Sequence, residues 1–331
     1  MDADARGVSG ADYQTRFHQR WSTLHDPHVR ALAWLLEAPD LLAPADPRWQ
    51  YKIASLPKDA AHHAKPWLHA LDAAPAELHG FLAIHPLTRL GRYAEKLMAW
   101  YFRHQGTLFA HGLQVQAGKN DTIGEFDFLL KQGKALLHWE FATKFYLLYP
   151  ADRDEEQLSQ TDYFVGPNLA DTLGAKMRKI LERQLSLGQH PAAQVHLPQA
   201  LTAAQALIRG WLFYRRSESL SADALGISAQ HCRGWWCNLH ELDEHVGPHC
   251  VVLPRLSWLA PAKLRPDAVI TRAALQRQLT QGFETDPMPV MVATVAERHG
   301  WLEETGRGFV VPDDWQDKAA NYRSKSAKIC R

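Results

Sequence analysis

The sequence lacks several features that would point to a function class at once. No run approaches the roughly 18 apolar residues that a membrane span requires. The polar, acidic opening MDADARGVSGADYQ has no apolar segment of the kind a secretory leader carries. The expectation is a soluble, cytoplasmic protein with no membrane partner. Charge of one sign is also missing: 37 Lys and Arg face 36 Asp and Glu, a net of +1. No global attraction to nucleic acid or membrane follows, although local patches remain open. Neither an internal repeat nor a low-complexity tract is visible. Cysteine is scarce, with Cys232, Cys237, Cys250 and Cys330 the only four. The first three sit with His231, His240, His245 and His249 in HCRGWWCNLHELDEHVGPHC. C-x4-C is wider than usual structural zinc spacing, and no second close pair follows. Two readings stand: a zinc-stabilised interaction segment, or reduced core cysteines beside surface histidines.

What is present is ample core material: 331 residues, 46% hydrophobic, with 12 tryptophans, enough for one large domain or two modest ones. Residues 1–89 read as a helical N-terminal arm, with Val29, Leu32, Leu35 and Leu36 spaced as an amphipathic stripe. From residue 90 the pattern sharpens. LTRLGRYAEKLMAWYFRHQ predicts a helix with Leu90, Ala94, Leu97, Met98 and Tyr101 on one stripe and Thr88 as its N-cap. Strands are predicted over 108–116, 123–131, 135–149 and 204–216. The acidic stretch 151–168 reads as a loop, and LADTLGAKMRKILERQLSLG as a second helix stopping at Gly188 with Pro191 beyond. The order is αβββαβ over 90–216. Residues 217–331 read as a smaller α+β extension, with strands at VVLPRLSW and GRGFVVP and helices at TRAALQRQLTQ and VMVATVAERHG. The basic tail, with Arg323, Lys325, Lys328 and Arg331, reads as a solvated end or a phosphate contact.

Chemistry concentrates in GEFDFLLKQGKALLHWEFATKF, residues 124–145. Strand alternation puts Glu125 and Asp127 on one side, with His138, Glu140, Ala142 and Lys144 likewise sharing a side. Phe126, Phe128, Phe141 and Phe145 take the other side as core. A two-residue loop at Gly133-Lys134 suits a type II′ turn. It makes Gln132 oppose Ala135, which sets Asp127 opposite Glu140 and Glu125 opposite Ala142. Opposed Cβ atoms lie roughly 4.5–5.5 Å apart, so the carboxylates repel unless a proton or a cation intervenes. Oxygen-only ligands favour Mg²⁺ or Mn²⁺. A nearby ammonium adds what metal-assisted phosphodiester hydrolysis needs. The alternative is an acidic face that is simply solvated. His138 reads as a satisfied histidine or an extra ligand.

The G-E-x-D-(apolar)3 strand, the short turn, and the following strand with Glu140 and Lys144 resemble the PD-(D/E)xK nuclease superfamily. The longer pattern LGRYAEKLMAWYF…LQVQ…GEFDFLL…HWEFATKFYLLY…YFVGP, with GWLFYR, RGWW and GFVVPDDW, resembles an uncharacterised bacterial family assigned to it. The resemblance implies a restriction-endonuclease-like α/β fold with a mixed sheet, and Mg²⁺- or Mn²⁺-dependent hydrolysis of DNA, with RNA also open. It implies that Asp127 and Glu140 bind metal, that Glu95 and Glu125 assist, and that Lys144 is the catalytic lysine. That lysine normally lies two residues after the glutamate, where this chain has Ala142. Lys144 is one pleat further, about 6.6 Å along the strand. It either reaches back over Ala142, pairs with Glu125, or marks a nuclease-like module that binds or assembles without catalysis. On the second helix, Lys176 and Gln184 flank Ile180 and are candidate phosphate contacts or rim residues. Arg178, Lys179, Arg183, Arg215 and Arg216 are candidates for a backbone-contacting basic patch.

Overall fold

The computed structural model describes residues 13–83, 88–118, 121–149, 160–215 and 225–329. Five helices come first: α1 (Tyr13–Arg20), α2 (Pro27–Glu37), α3 (Ala60–Ala73), α4 (Ala76–Ala83) and α5 (Leu90–His104). The stripe Val29, Leu32, Leu35 and Leu36 is buried along α2, which Asp26 caps. The Asp26 side chain accepts from His28 and Val29 N–H, and Pro27 occupies the first turn, where its missing N–H costs nothing. The α5 stripe is buried as expected. Its N-cap position, however, is Arg89, with no side-chain cap bond, so Thr88 does not cap it.

After α5 come β1 (Leu108–Gly118), β2 (Asp121–Gln132) and β3 (Ala135–Leu148), an antiparallel meander. β4 (Phe164–Val165) pairs with the end of β3. α6 (Leu173–Lys179), a π-turn over Ile180–Gln184 and α7 (Pro191–Gln194) lead to β5 (Ala203–Tyr214), which lies parallel to β3. Thr172 caps α6 through the Ala175 N–H. Of the 151–168 loop, residues 151–159 fall outside the described residues.

The β2–β3 register is the expected one, from Gln132 against Ala135 to Phe128 against Trp139. Gly133 has φ +59° while Lys134 stays out of the left-handed region, as a type II′ turn requires.

Beyond β5 the chain continues the same sheet. It adds β6 (Cys232–Asn238), α8 (Leu242–His245), β7 (His249–Val252), β8 (Lys263–Leu264), β9 (Ile270–Thr271), α9 (Arg272–Thr285), β10 (Val290–Arg298), β11 (Trp301–Val311) and α10 (Trp315–Ile329). The 11-stranded sheet runs β1-β2-β3-β5-β6-β11-β10-β7-β9, with β4 and β8 off the main path. The C-terminal part is therefore an extension of one mixed sheet, because β6 pairs in parallel with both β5 and β11.

VMVATVAERHG is strand β10, not a helix. Its β-branched residues suit a pleated surface, and His299 (φ +53°) and Gly300 (φ +76°) form the two-residue turn into β11, as in a type I′ hairpin.

Alternation in β5 shows how the sheet is covered. Leu207, Trp211 and Phe213 join the core under the N-terminal helices, while Ala206, Ile208, Leu212 and Tyr214 join the core under α6. Trp34 of α2 stacks on Trp211. Arg209 reaches the Leu35 carbonyl and Asp40. The N-terminal helices thus form a covering layer of the sheet. Among the described residues, no helix is long and apolar enough to cross a membrane.

Candidate functional site

The site begins with a break in alternation. Phe128 belongs to the core beneath α5, stacking near Phe102 and His111. Phe126, two residues earlier, belongs to the opposite core with Leu129, Leu136 and Leu187. The expectation that both phenylalanines share one face is therefore corrected. The flip occurs at Asp127, where β2–β3 pairing ends and the Asp127 Oδ2 instead accepts the Phe141 N–H at 2.9 Å. The carboxylate takes over a ladder bond, so that polar backbone group stays satisfied. The kink continues into β1. The pairs Leu113–Phe126 and His111–Phe128 flank Gly112 and Asp127, and Gly112 has φ +63°, a conformation that favours glycine.

This kink sorts the acids. Glu125 turns toward α5 and not toward Ala142: its Oε1 accepts from Arg92 at 3.2 Å. Glu95 of α5 is buried, and its Oε1 receives Arg92 at 3.2 Å and His111 Nε2 at 2.8 Å. Glu95, Glu125 and Asp127 each bring a carboxylate oxygen to within 4.8 Å of the others. Glu140 stays outside that group. It is buried on the α6 side, with His138 Nε2 at 2.9 Å from Oε1 and Gln184 Nε2 donating to Oε2. Glu140 nevertheless faces Asp127 closely enough for each to move the other's titration. Burial first, then Glu140, pushes the Asp127 carboxyl up to about 7. Burial likewise raises Glu140 to about 7, with Lys176 the main opposing influence.

Of the two lysines, Lys176 is linked to Glu140 through Gln184, and Lys144 is turned elsewhere. Lys144 pairs with Asp171 at 3.0 Å, as does the Tyr146 hydroxyl. It neither turns back over Ala142 nor meets Glu125. Lys176 donates to Gln184 Oε1 at 3.0 Å, so a hydrogen-bonded chain runs Lys176–Gln184–Glu140–His138. Burial lowers the Lys176 pKa and Lys144 adds to the shift, while Glu140 and Asp127 oppose it. His138 is fully buried, and burial lowers it to about 4, which keeps the imidazole neutral. Its Nδ1 has no hydrogen-bond partner.

The acids open onto a cleft of about 510 Å³ lined by Arg92, Glu95, Glu125, Asp127, Lys179, Arg183 and Gln184 among others. Arg178 of the expected basic patch is tied to Asp162, and Arg215 to Glu241. Arg216 and the tail side chains lie outside the described residues. Sequence reasoning missed Arg92, His111 and Asp171. Arg92 was within reach, since it stands three residues before Glu95 on one helix. The other two depend on pairings that only the folded sheet creates.

The cysteines form no metal group among the described residues. Cys232 lies in the core under the N-terminal helices, Cys237 and Cys250 in another, and all three are free. His231 bonds Tyr214, His240 pairs with Asp313, and His245 stacks on Trp235.

The arrangement is an acidic cleft, built where two strands part, with one half-buried lysine behind it. Residues 30–311 match the family described as a domain of unknown function, DUF1853, and the chain belongs to that family. No curated protein and no solved structure matches it.

Proposed function

We propose that the protein is a metal-dependent nuclease that hydrolyses phosphodiester bonds, most readily in DNA. The observation that carries this reading is the meeting of Glu95, Glu125 and Asp127 on one cleft, with Lys176 held near Glu140 by Gln184. We read α5, the β1–β3 meander, α6 and parallel β5 as a restriction-endonuclease-like core. A carboxylate-only donor set suits Mg²⁺ or Mn²⁺. Glu95, Glu125 and Asp127 would hold the ion, which when bound polarises a phosphoryl oxygen and lowers the pKa of a water.

The chain's own residues supply the rest. Lys176 offers positive charge to the transition state and takes the part expected of Lys144. Glu140, fixed by His138 and Gln184, accepts or relays a proton. Lys179 and Arg183 at the cleft mouth attract the phosphate backbone.

The second reading is a nuclease-like module that binds nucleic acid without cleaving it. The Lys144–Asp171 pair favours it, because the lysine of the expected motif points away from the acids. The test is cleavage of plasmid, single-stranded DNA and RNA with Mg²⁺ or Mn²⁺, comparing wild type with Asp127→Ala, Glu140→Ala, Lys176→Ala and Lys144→Ala. Loss of roughly 10²-fold or more in the first three, with little change in Lys144→Ala, supports the proposal. Equal cleavage by wild type, Asp127→Ala and Glu140→Ala would expose a contaminant and sink it. Binding without cleavage, weakened by changing Lys179 and Arg183, would establish the second reading.

A further inference from the structure

Arg92 occupies an unusual position for a surface arginine. A single nitrogen, Nη1, lies 3.2 Å from Glu95 Oε1 and 3.2 Å from Glu125 Oε1. It bridges two of the three carboxylates that converge on the cleft. One positive atom shared by two acids is the contact a bound cation would make.

The two sides of this contact differ in freedom. The Arg92 side chain is 55% exposed, whereas Glu95 is 11% exposed. Glu95 is also held by His111. Glu125 is 25% exposed, so both acids are more enclosed than the guanidinium, which can leave toward solvent. Its departure breaks two part-exposed ion pairs, which solvent screens and keeps weak. While it stays, it offsets the repulsion between Glu95 and Glu125.

We propose that Arg92 is a built-in counter-cation, which holds Glu95 and Glu125 together in the metal-free protein and is displaced when a divalent cation enters. This rests on the metal-centre reading above. Displacement has a consequence for the substrate. The freed guanidinium lines the same cleft, and its planar fork of donors matches a phosphate. Metal entry thereby unmasks a phosphate-binding group, and by linkage phosphate must then favour metal entry to the same degree.

The experiment is a Mn²⁺ titration of the full chain, following the electron paramagnetic resonance signal of the free aquo ion, for wild type, Arg92→Gln, Arg92→Lys and Asp127→Asn. Arg92→Gln removes the competitor and is expected to bind Mn²⁺ roughly ten-fold tighter than wild type, the equivalent of the two lost ion pairs. Arg92→Lys, which keeps the charge and guards against a folding defect, falls between them, and Asp127→Asn binds weakly. Adding a short phosphorothioate duplex tightens Mn²⁺ binding in wild type more than in Arg92→Gln. If wild type binds Mn²⁺ and Arg92→Gln binds it equally or less tightly, Arg92 is a fixed clamp and the proposal is overturned while the metal centre stands. If neither binds, the metal centre itself is wrong and this proposal falls with it.

Discussion

Replacing Asp127 with asparagine tests the electrostatics of the cleft without relying on catalysis. The asparagine side-chain oxygen can still accept the Phe141 N–H, so the bond that anchors the kink survives. What disappears is a half-buried charge facing Glu140. Burial and Glu140 raise the Asp127 carboxyl from an ordinary 3.8 to about 7. An acid whose folded pKa is raised binds more protons in the native state. Its contribution to stability is therefore full below its unfolded value and is lost as pH climbs to the folded value. Between pH 5 and pH 8 about two units of that loss remain, a ceiling of about 3 kcal/mol at ~1.4 kcal/mol per unit. Because Asp127 and Glu140 titrate together, about 1–2 kcal/mol is expected in practice. Urea unfolding of wild type and Asp127→Asn at both pH values, in chelator, measures it. The comparison must be the difference between the two proteins. Burial holds His18 near 3 and His138 and His231 near 4, and histidines with lowered folded values give the opposite slope in both proteins. Relative to wild type, Asp127→Asn should gain about 1–2 kcal/mol on going from pH 5 to pH 8. Added Mg²⁺ should restore wild type at pH 8 and leave the variant unmoved. A variant destabilised equally at both pH values would refute the reasoning, since the carboxyl would then be a structural hydrogen-bond acceptor and nothing more.

Other consequences can be measured separately. Gly112→Ala forces a left-handed residue to carry a Cβ, which would also sit 3.4 Å from Glu125 Oε1. A loss of about 1–2 kcal/mol in thermal or urea unfolding is expected, together with weaker Mn²⁺ binding. Arg307 is fully buried, paired with Glu304 and donating to the Trp258 and Ala260 carbonyls. Arg307→Met should cost about 3–5 kcal/mol by leaving Glu304 unpaired, with Glu304→Gln in the same background recovering part of it. The Cys232 and Cys237 thiols are buried and pushed up to about 12. With buried Cys250, they should resist a thiol reagent in the native protein and react together on unfolding. Rapid labelling of these three without loss of structure would contradict their placement.

How much of this was legible depends on range. The β2–β3 register followed from one glycine turn and side-chain alternation, both local. The helix and strand order over 90–215 followed from apolar periodicity. VMVATVAERHG misled because its apolar spacing fits a helix, while the His299-Gly300 turn and the β-branched residues decide for a strand. Lys176 and Gln184 were visible as two polar residues on one helical side. Their direction toward Glu140 was not, because the π-turn at 180–184 and the kink at Asp127 both had to form first. The flip at Asp127 left no periodic trace at all. It depends on a side chain replacing a backbone ladder bond, and only Gly112, far off in sequence, hinted that β1 must bend there. The pairing of Lys144 was hidden for a related reason: Asp171, its partner, lies 27 residues on.

The unbroken sheet has a practical consequence for anyone wishing to isolate the acidic cleft. A fragment covering 90–215 would strip β6 from the Trp211–Tyr214 edge, and would remove Asp40, Trp34 and the Leu259 carbonyl from the side chains of Arg209 and Trp211. Such a piece would present a raw parallel edge and a bare tryptophan face, which invites self-association. The cleft cannot be lifted out as a portable cartridge, and fusions or truncations should spare both flanks of β5.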